Sequence, residues 1–553
     1  MSSVDKRTLC PFCSLFDPLI VRVPDSRSAY FTKDSIFRLD YPENPHYGLC
    51  PRGNYTIDLV ENPKRAYYAL KNGKIRRSAE ILSDISKNIQ WTGKTGAIII
   101  DGSLTLEEAY LVTVLAKAIG TEIVALSPIE DELVTSYVSA AHFSRDSISE
   151  ADFILTVGDP FESNPTIAHQ ILNSKYAKRG NTLCSIASYR TRTSTQATKV
   201  LGVKPGTEGA CILAMHKALR NENFEPEASL CGVSPSDITD IVGRMKKAQK
   251  GFVIFSGVVG EMARLGETAF FASKLAAEAK FIFLPLTQAR NSLGISGIFR
   301  SAKFKGHAEL RNLIRSKRLN YVIGLGALPE NYIPEEQIKQ LDLIFVAHPF
   351  MPENENLYHY FVPSATVPEI SGTALSPFGD ILELKAIVAP PGDALSIKEI
   401  LESILASLGE QSSIPQELPN LATTPPEKIP DINKYFESIN GFAKKAYEYM
   451  LIYRPSRFQI GDGSLTNRIR WAKEMEQEPR LEVSPKVIEK YGKKLRIKSV
   501  NGISLELEAE AVEDLPDNLI VVSAGFATTR TLIPRFDEPE SLGPVAVSIE
   551  GVK

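Results

Sequence analysis

Cysteine is scarce, six in 553 residues. That is too few for a disulfide framework. Long apolar runs are missing as well. No stretch approaches the ~18 residues that cross a bilayer, so no direct membrane span is expected. Neither charge is in excess: Lys+Arg is 63, Asp+Glu is 66, and the formal net charge is -3. That balance gives no reason to expect nucleic acid or an anionic membrane as partner. The opening Met1-Ser-Ser-Val-Asp-Lys-Arg7 has no apolar core behind its charges and no twin arginine. No secretory signal is read there, and the expected location is cytoplasmic. What remains is an ordinary globular composition, 43% hydrophobic and 23% charged, long enough for three or four domains with sizeable cores.

The few cysteines are unevenly placed. Cys10-Pro-Phe-Cys13 and Cys50-Pro-Arg-Gly53 put three of the six near the head. Thiolates are soft donors, and this layout suits an iron–sulfur cluster or a zinc ion. A short segment with few large apolar residues often needs a metal to hold it together. Cys184 lies in a strand-like run and Cys211 in a helix-like one, where each reads as a small buried hydrophobe. Cys231 reads as a loop residue with no obvious partner.

From about residue 94 the pattern alternates between strand and helix. Ala97–Ile100, Glu122–Leu126, Phe153–Val157 and Leu183–Ala187 are apolar strand runs, with helices expected over Leu104–Ile119 and Pro165–Lys178. A second series has strands at Phe252–Phe255, Phe281–Leu286, Tyr321–Leu325 and Leu343–Val346, and a helix over Glu261–Lys280. Such alternation predicts parallel sheets covered on both faces. Residues 409 to about 432 are rich in Pro, Ser and Thr and read as a linker or wrapping segment. Leu481–Val483, Lys494–Val500, Ser504–Ala511 and Leu519–Val522, with a hairpin turn at Asn501-Gly502, predict a small β-rich domain.

Several segments, in order, resemble the molybdopterin oxidoreductases. These include the formate dehydrogenase catalytic subunit, the large iron–sulfur subunit of respiratory complex I and the corresponding chain of formylmethanofuran dehydrogenase. The head is similar to the family's [4Fe–4S] motif. Ser103-Leu-Thr-Leu-Glu-Glu-Ala-Tyr110 resembles the start of its first conserved helix. Ser149–Gly158 with Glu162-Ser-Asn-Pro165, Val203–Ala210, and Tyr360–Thr366 with Glu369 and Gly372-Thr373 resemble later motifs. Gly463–Asn467 and Leu481–Pro485 are similar to its cap. The resemblance implies an α/β fold of two tandem doubly wound parallel-sheet, Rossmann-like units, with a small Fe–S head and a C-terminal β-barrel cap. The divisions expected are 1–60 (head), 61–250 and 251–408 (α/β domains), 409–455 (Pro-rich linker) and 456–553 (a molybdopterin-dinucleotide-binding-like barrel).

The resemblance also implies site residues. Cys10, Cys13, Asp17 and Cys50 would hold the [4Fe–4S] cluster, with Asp17 where the family has a third cysteine. A three-iron cluster on the cysteines alone, zinc, or no metal are the rivals, and His46 is an alternative ligand. Arg52 would lie between cluster and pterin. A catalytic Cys or selenocysteine is expected within Thr121–Ser149, which contains neither; Ser127 and Asp131 are its candidate oxygen ligands for Mo or W, and His142 its imidazole. Gly158, Gly324, Gly326, Gly372 and Thr373 would approach a molybdopterin guanine dinucleotide, or serve as ordinary turns. Where the family has Asp-Pro-Arg this chain reads Ser188-Tyr189-Arg190, and Arg290-Asn-Ser-Leu-Gly294 is similar to an N-x-x-G element of the complex I relative. The reading favoured is an iron–sulfur electron-transfer and scaffold subunit, partnered by redox subunits carrying Fe–S clusters or flavin, whose own Mo/W site has degenerated. The alternatives are an active Mo/W one-carbon enzyme and a non-redox structural subunit.

Overall fold

The computed structural model describes residues 3–24, 38–40, 48–89, 94–443, 448–500, 502–533 and 543–552. His46 and Asn501 lie outside them. The head is a three-stranded antiparallel sheet of Ser3–Leu9, Pro18–Pro24 and Arg38–Asp40, followed by the short helices Pro51–Asn54 and Thr56–Glu61.

Two parallel layers form the body. In the larger, Tyr360–Pro363, Leu343–His348, Tyr321–Leu325, Gly96–Asp101 and Val124–Ser127 run parallel in that spatial order. The antiparallel hairpin Ala69–Lys71/Lys74–Arg76 extends one edge to seven strands. The smaller is five parallel strands: Lys199–Gly202, Thr182–Ala187, Phe153–Val157, Gly251–Phe255 and Ile282–Pro285. Their interior strands are buried on both faces, which is why they read as continuous apolar runs.

The two sheets are not in tandem. The smaller one is built wholly from residues 153–285, between the second and third parallel strands of the larger. The interior strands of both sheets carry the same apolar signature, so the pattern located them without saying which ones pair. The helix Leu106–Ala118 starts at Thr105 with reciprocal bonds to Glu108: Thr105 N donates to Glu108 Oε2 at 2.8 Å and Glu108 N to Thr105 Oγ1 at 3.1 Å.

The Pro-rich stretch is packed onto the body. Arg300 Nη2 donates to the Thr424 carbonyl at 2.6 Å, and Tyr435 is buried with its ring 4.6 Å from that of Phe271. A closed six-stranded barrel follows, and its first strand, Tyr449–Arg454, comes from inside the stretch expected to be linker. Cys184 and Cys211 are buried as expected. Cys231 does have a partner: it ends the helix Glu225–Cys231, and its thiol donates to the Ala228 carbonyl at 3.3 Å. Among the described residues no helix is long and apolar enough to cross a membrane.

The segment just after the head is fastened beside the larger sheet by a fully buried ion pair, and Arg65 also donates to the Leu59 carbonyl of the head at 3.3 Å. Arg65 donates to both carboxylate oxygens of Glu369, at 2.8 and 2.7 Å. Removing one partner strands the other charge, at a cost of about 3 kcal/mol or more. Glu369→Gln should therefore lower the urea midpoint markedly; an unchanged midpoint would count against this fastening. Nearby, burial pushes the His348 imidazole down from 6.5 to about 3, and the Arg468 charge adds to the effect. A histidine held neutral stabilises fully above pH 6.5, and that contribution fades as pH falls toward 3. His348→Phe should flatten the acid side of a stability–pH profile over that window.

Candidate functional site

The hairpin of the first two strands ends at Leu9, paired with Pro18. The loop between them is closed by Cys10 N donating to the Asp17 carbonyl at 2.8 Å. This turns Cys10 and Cys13 inward, and both are buried. Phe16 takes a left-handed φ of 52°, strained for an aromatic residue. Cys50 precedes the helix Pro51–Asn54, which lies against the loop: a Cβ added to Gly53 would sit 4.0 Å from Cys10 Sγ. Burial raises the Cys10 thiol well above its ordinary range, and the Cys50, Cys13 and Asp17 charges add to it. Cys13 is pushed up to about 11 by burial, with Arg52 opposing. The three thiols thus share one buried neighbourhood. As placed they do not close into a ligand set: among the described residues no three His, Cys, Asp or Glu side chains form a metal-holding group.

Asp17 faces the body. Its Oδ1 accepts from Arg145 Nη1 and its Oδ2 from Thr166 Oγ1, both at 2.7 Å. Both oxygens are engaged in tying the loop to the smaller sheet's flank.

Two buried arginines stand beside the thiols. Arg52 donates Nη2 to the Ser163 carbonyl, while its Nε and Nη1 meet no acceptor. Arg290 donates Nε to the Ser103 carbonyl at 3.3 Å, and neither Nη has a partner. Its guanidinium carbon lies 5.8 Å from the centre of the Phe16 ring. Burial lowers Arg290 to about 10, opposed by the negative charges of Glu108, Cys10 and Asp101. A buried cation with unpaired N–H groups costs of the order of several kcal/mol unless an anion meets it.

Ser103, to which Arg290 donates, lines a crevice. Gly96–Asp101 and Tyr321–Leu325 are neighbours in the larger sheet, and the chain leaves their C-terminal ends toward opposite sides, which is where open α/β sheets bind ligands. The crevice is lined by Asp101, Ser103, Glu108, Gly326, Thr366 and Leu465. Gly326 has φ +71°, and a Cβ there would come within 2.9 Å of Asp101 Cβ. Gly324 is inside the strand, where a Cβ would meet the Ala327 carbonyl at 2.5 Å. Gly372 and Thr373 pack against the helix start: Thr373 N and Oγ1 both donate to Glu107 at 2.8 Å. Gly158 is in the other sheet, where a Cβ would collide with the Ser256 carbonyl at 1.9 Å.

The candidate metal ligands of Thr121–Ser149 are occupied otherwise. Ser127 Oγ is 2.6 Å from Tyr332 Oη and donates to Asp462 Oδ2 at 3.3 Å. Burial would raise Asp462, but Arg530 and hydrogen bonds from Ser464 and Asn331 hold it below the usual range. Asp131 accepts from Gln288 N, Ala289 N and Ser292 Oγ at 2.8, 2.8 and 2.7 Å. Burial still moves its carboxyl up to about 7. His142 is exposed, 3.7 Å from Asp380, at the rim of a cleft of about 440 Å³ that Phe16, Phe143 and Phe378 also line. Arg190 pairs with Asp514 at the surface. The site residue that sequence reasoning passes over is Arg290. It stands within a recognisable motif, but only its burial and unpartnered nitrogens single it out.

A family model described as molybdopterin oxidoreductase matches residues 79–407, more than half of the chain. Over 486 residues the chain is 23% identical to the NADPH-Fe(3+) oxidoreductase subunit alpha of Geobacter sulfurreducens, covering 74% of this chain and 56% of that protein. It thus spans little more than half the length of that relative. Over 478 residues it is 23% identical to the F420-dependent formate dehydrogenase subunit alpha of Methanocaldococcus jannaschii, covering 73% and 70%. In fold it is similar to acetylene hydratase from Pelobacter acetylenicus, with a TM-score of 0.75, 12% identity and coverage of 99% and 100%.

Ser127→Ala removes a hydroxyl held by Tyr332 and Asp462. The expected result is a loss of about 1 kcal/mol in stability with metal content unchanged, measured by urea titration and elemental analysis. A loss of bound metal would instead make Ser127 a ligand.

Proposed function

This chain belongs to the molybdopterin oxidoreductase family, and we propose that within it the chain is an iron–sulfur electron-transfer and scaffold subunit whose own Mo/W site has degenerated. One observation carries the proposal. Three buried thiols share a neighbourhood with two buried guanidiniums, which leave four nitrogens without acceptors. A cluster with thiolate ligands is a compact anion. It would turn both the raised thiols and the orphaned cations from a cost into an attraction.

In donor chemistry the buried thiols of Cys10, Cys13 and Cys50 suit such a cluster, which would have to draw them into the ligand set they do not form as placed. Asp17 would have to leave Arg145 and Thr166 to join them, which favours three thiolates over a set completed by the carboxylate. The cluster would supply one-electron chemistry. The chain's own groups would hold it dry, set its charge environment and fix its distance from neighbouring subunits. The relatives named as alpha subunits support a place in a multisubunit oxidoreductase. There the partners would be redox subunits with Fe–S clusters or flavin.

For Mo or W the fit is poor. Thr121–Ser149 holds no thiol, and both carboxylate oxygens of Asp131 and the Ser127 hydroxyl already serve the framework. One observation favours an active one-carbon enzyme instead. The cleft beside His142 reaches the outer wall of the cysteine loop and has room for a small substrate.

Elemental analysis and pterin fluorescence on anaerobically purified protein separate these readings. Iron with no stoichiometric Mo or W is expected. Stoichiometric Mo or W would establish the enzyme reading, and zinc without iron a structural one. Cys10→Ser and Cys50→Ser should each lose most of the iron; a full iron count in either would remove that thiol from the site.

A further inference from the structure

Arg290 comes from the body, in the loop between Ile282–Pro285 and the helix Ser292–Ser301. That loop is docked directly on the cysteine loop, where Thr287 N donates to Ser14 Oγ at 3.1 Å. It is held from three further directions. Asp131 accepts from Gln288 N and Ala289 N, Asn291 Nδ2 donates to the Leu104 carbonyl at 2.7 Å, and Asn291 Oδ1 accepts from Leu375 N at 2.9 Å. Residues on both sides of Arg290 are therefore fixed, and its side chain has little freedom to swing toward solvent.

A buried arginine kept only for packing would be replaced at little cost by an apolar residue of similar volume. This one keeps a cation whose two Nη atoms have no hydrogen-bond partner, although the Glu108 and Asp101 carboxyls act on its charge. Its guanidinium carbon is 5.8 Å from the ring centre of Phe16, which stands between Cys13 and Asp17 in the cysteine loop. Arg52 acts on Cys13 from the head itself, and Arg290 reaches the Cys10 side from the body.

We propose that Arg290 is a positioning residue that faces the cysteine site as its second cationic wall and favours the reduced state of the cluster held there. The inference rests on the iron–sulfur reading above. One-electron reduction adds one negative charge to the site; the electron comes from a partner redox subunit, or from dithionite in the test. The guanidinium gains and loses no proton and forms no bond to iron. Its fixed charge makes the added electron more favourable, and its N–H groups can meet sulfur on the cluster side.

The test is an EPR-monitored dithionite titration of the full chain, with iron and sulfide counted in each sample. Arg290→Gln should keep the wild-type iron count and be at least tenfold harder to reduce, a downward shift of 59 mV for a one-electron couple. Arg290→Lys, which keeps the charge, should recover most of that shift. Should the Gln variant not fold, Arg290→Leu fills the volume without a stranded dipole and takes its place. An iron-loaded Gln or Leu variant with the wild-type midpoint would overturn the role of Arg290 and leave the cluster reading intact. Wild-type protein without iron would overturn both.

Discussion

Burying guanidiniums whose N–H groups lack acceptors is the constraint on which the rest of this structure turns. Arg52 and Arg290 are as inaccessible to water as the apolar core, and a guanidinium cannot escape the penalty by giving up its proton at any ordinary pH. Holding such a pair in place demands a rigid surrounding frame. The frame is visible. The hairpin loop is closed on itself and tied through Asp17 to Arg145, the segment just after the head is locked through Arg65 to Glu369, and the loop that carries Arg290 is held by Asp131 and Asn291. Three separate parts of the chain spend their polar contacts on holding one small volume in place.

The same frame accounts for residues that could have been ligands. Ser127 and Asp131 stand at the end of a parallel strand and at the start of the following helix, places where a parallel sheet commonly presents its chemistry. Here the serine joins Tyr332 and Asp462, and the aspartate fastens the loop of Arg290. Both side chains thus serve the framework, and the aspartate supports the loop beside the cysteines.

Much of the architecture was legible in the chain. Phe153–Val157, Tyr321–Leu325, Leu481–Val483 and Ser504–Ala511 are strands with the expected bounds. A buried parallel strand leaves an unbroken apolar run and a hairpin strand an alternating one. What the runs do not record is pairing. Val124–Ser127 and Phe153–Val157 are consecutive and alike in character, yet they belong to different sheets. Tyr449–Arg454 likewise closes a barrel whose other strands lie far along the chain, and a short run after a Pro-rich stretch carries no sign of that.

By itself the sequence determined the inventory: two layers of parallel strand, a barrel, three cysteines at the head, and no thiol where a metal-bound one was expected. Those are matters of local composition and spacing, which neighbouring residues decide. Only the tertiary structure decided that one sheet is inserted within the sequence of the other, that Asp17 points into the body, and that Arg290, nearly 280 residues from Cys13 in the sequence, comes near the loop that carries it. Such meetings depend on which faces bury one another, and burial is a property of the whole folded chain, with no trace in any single segment.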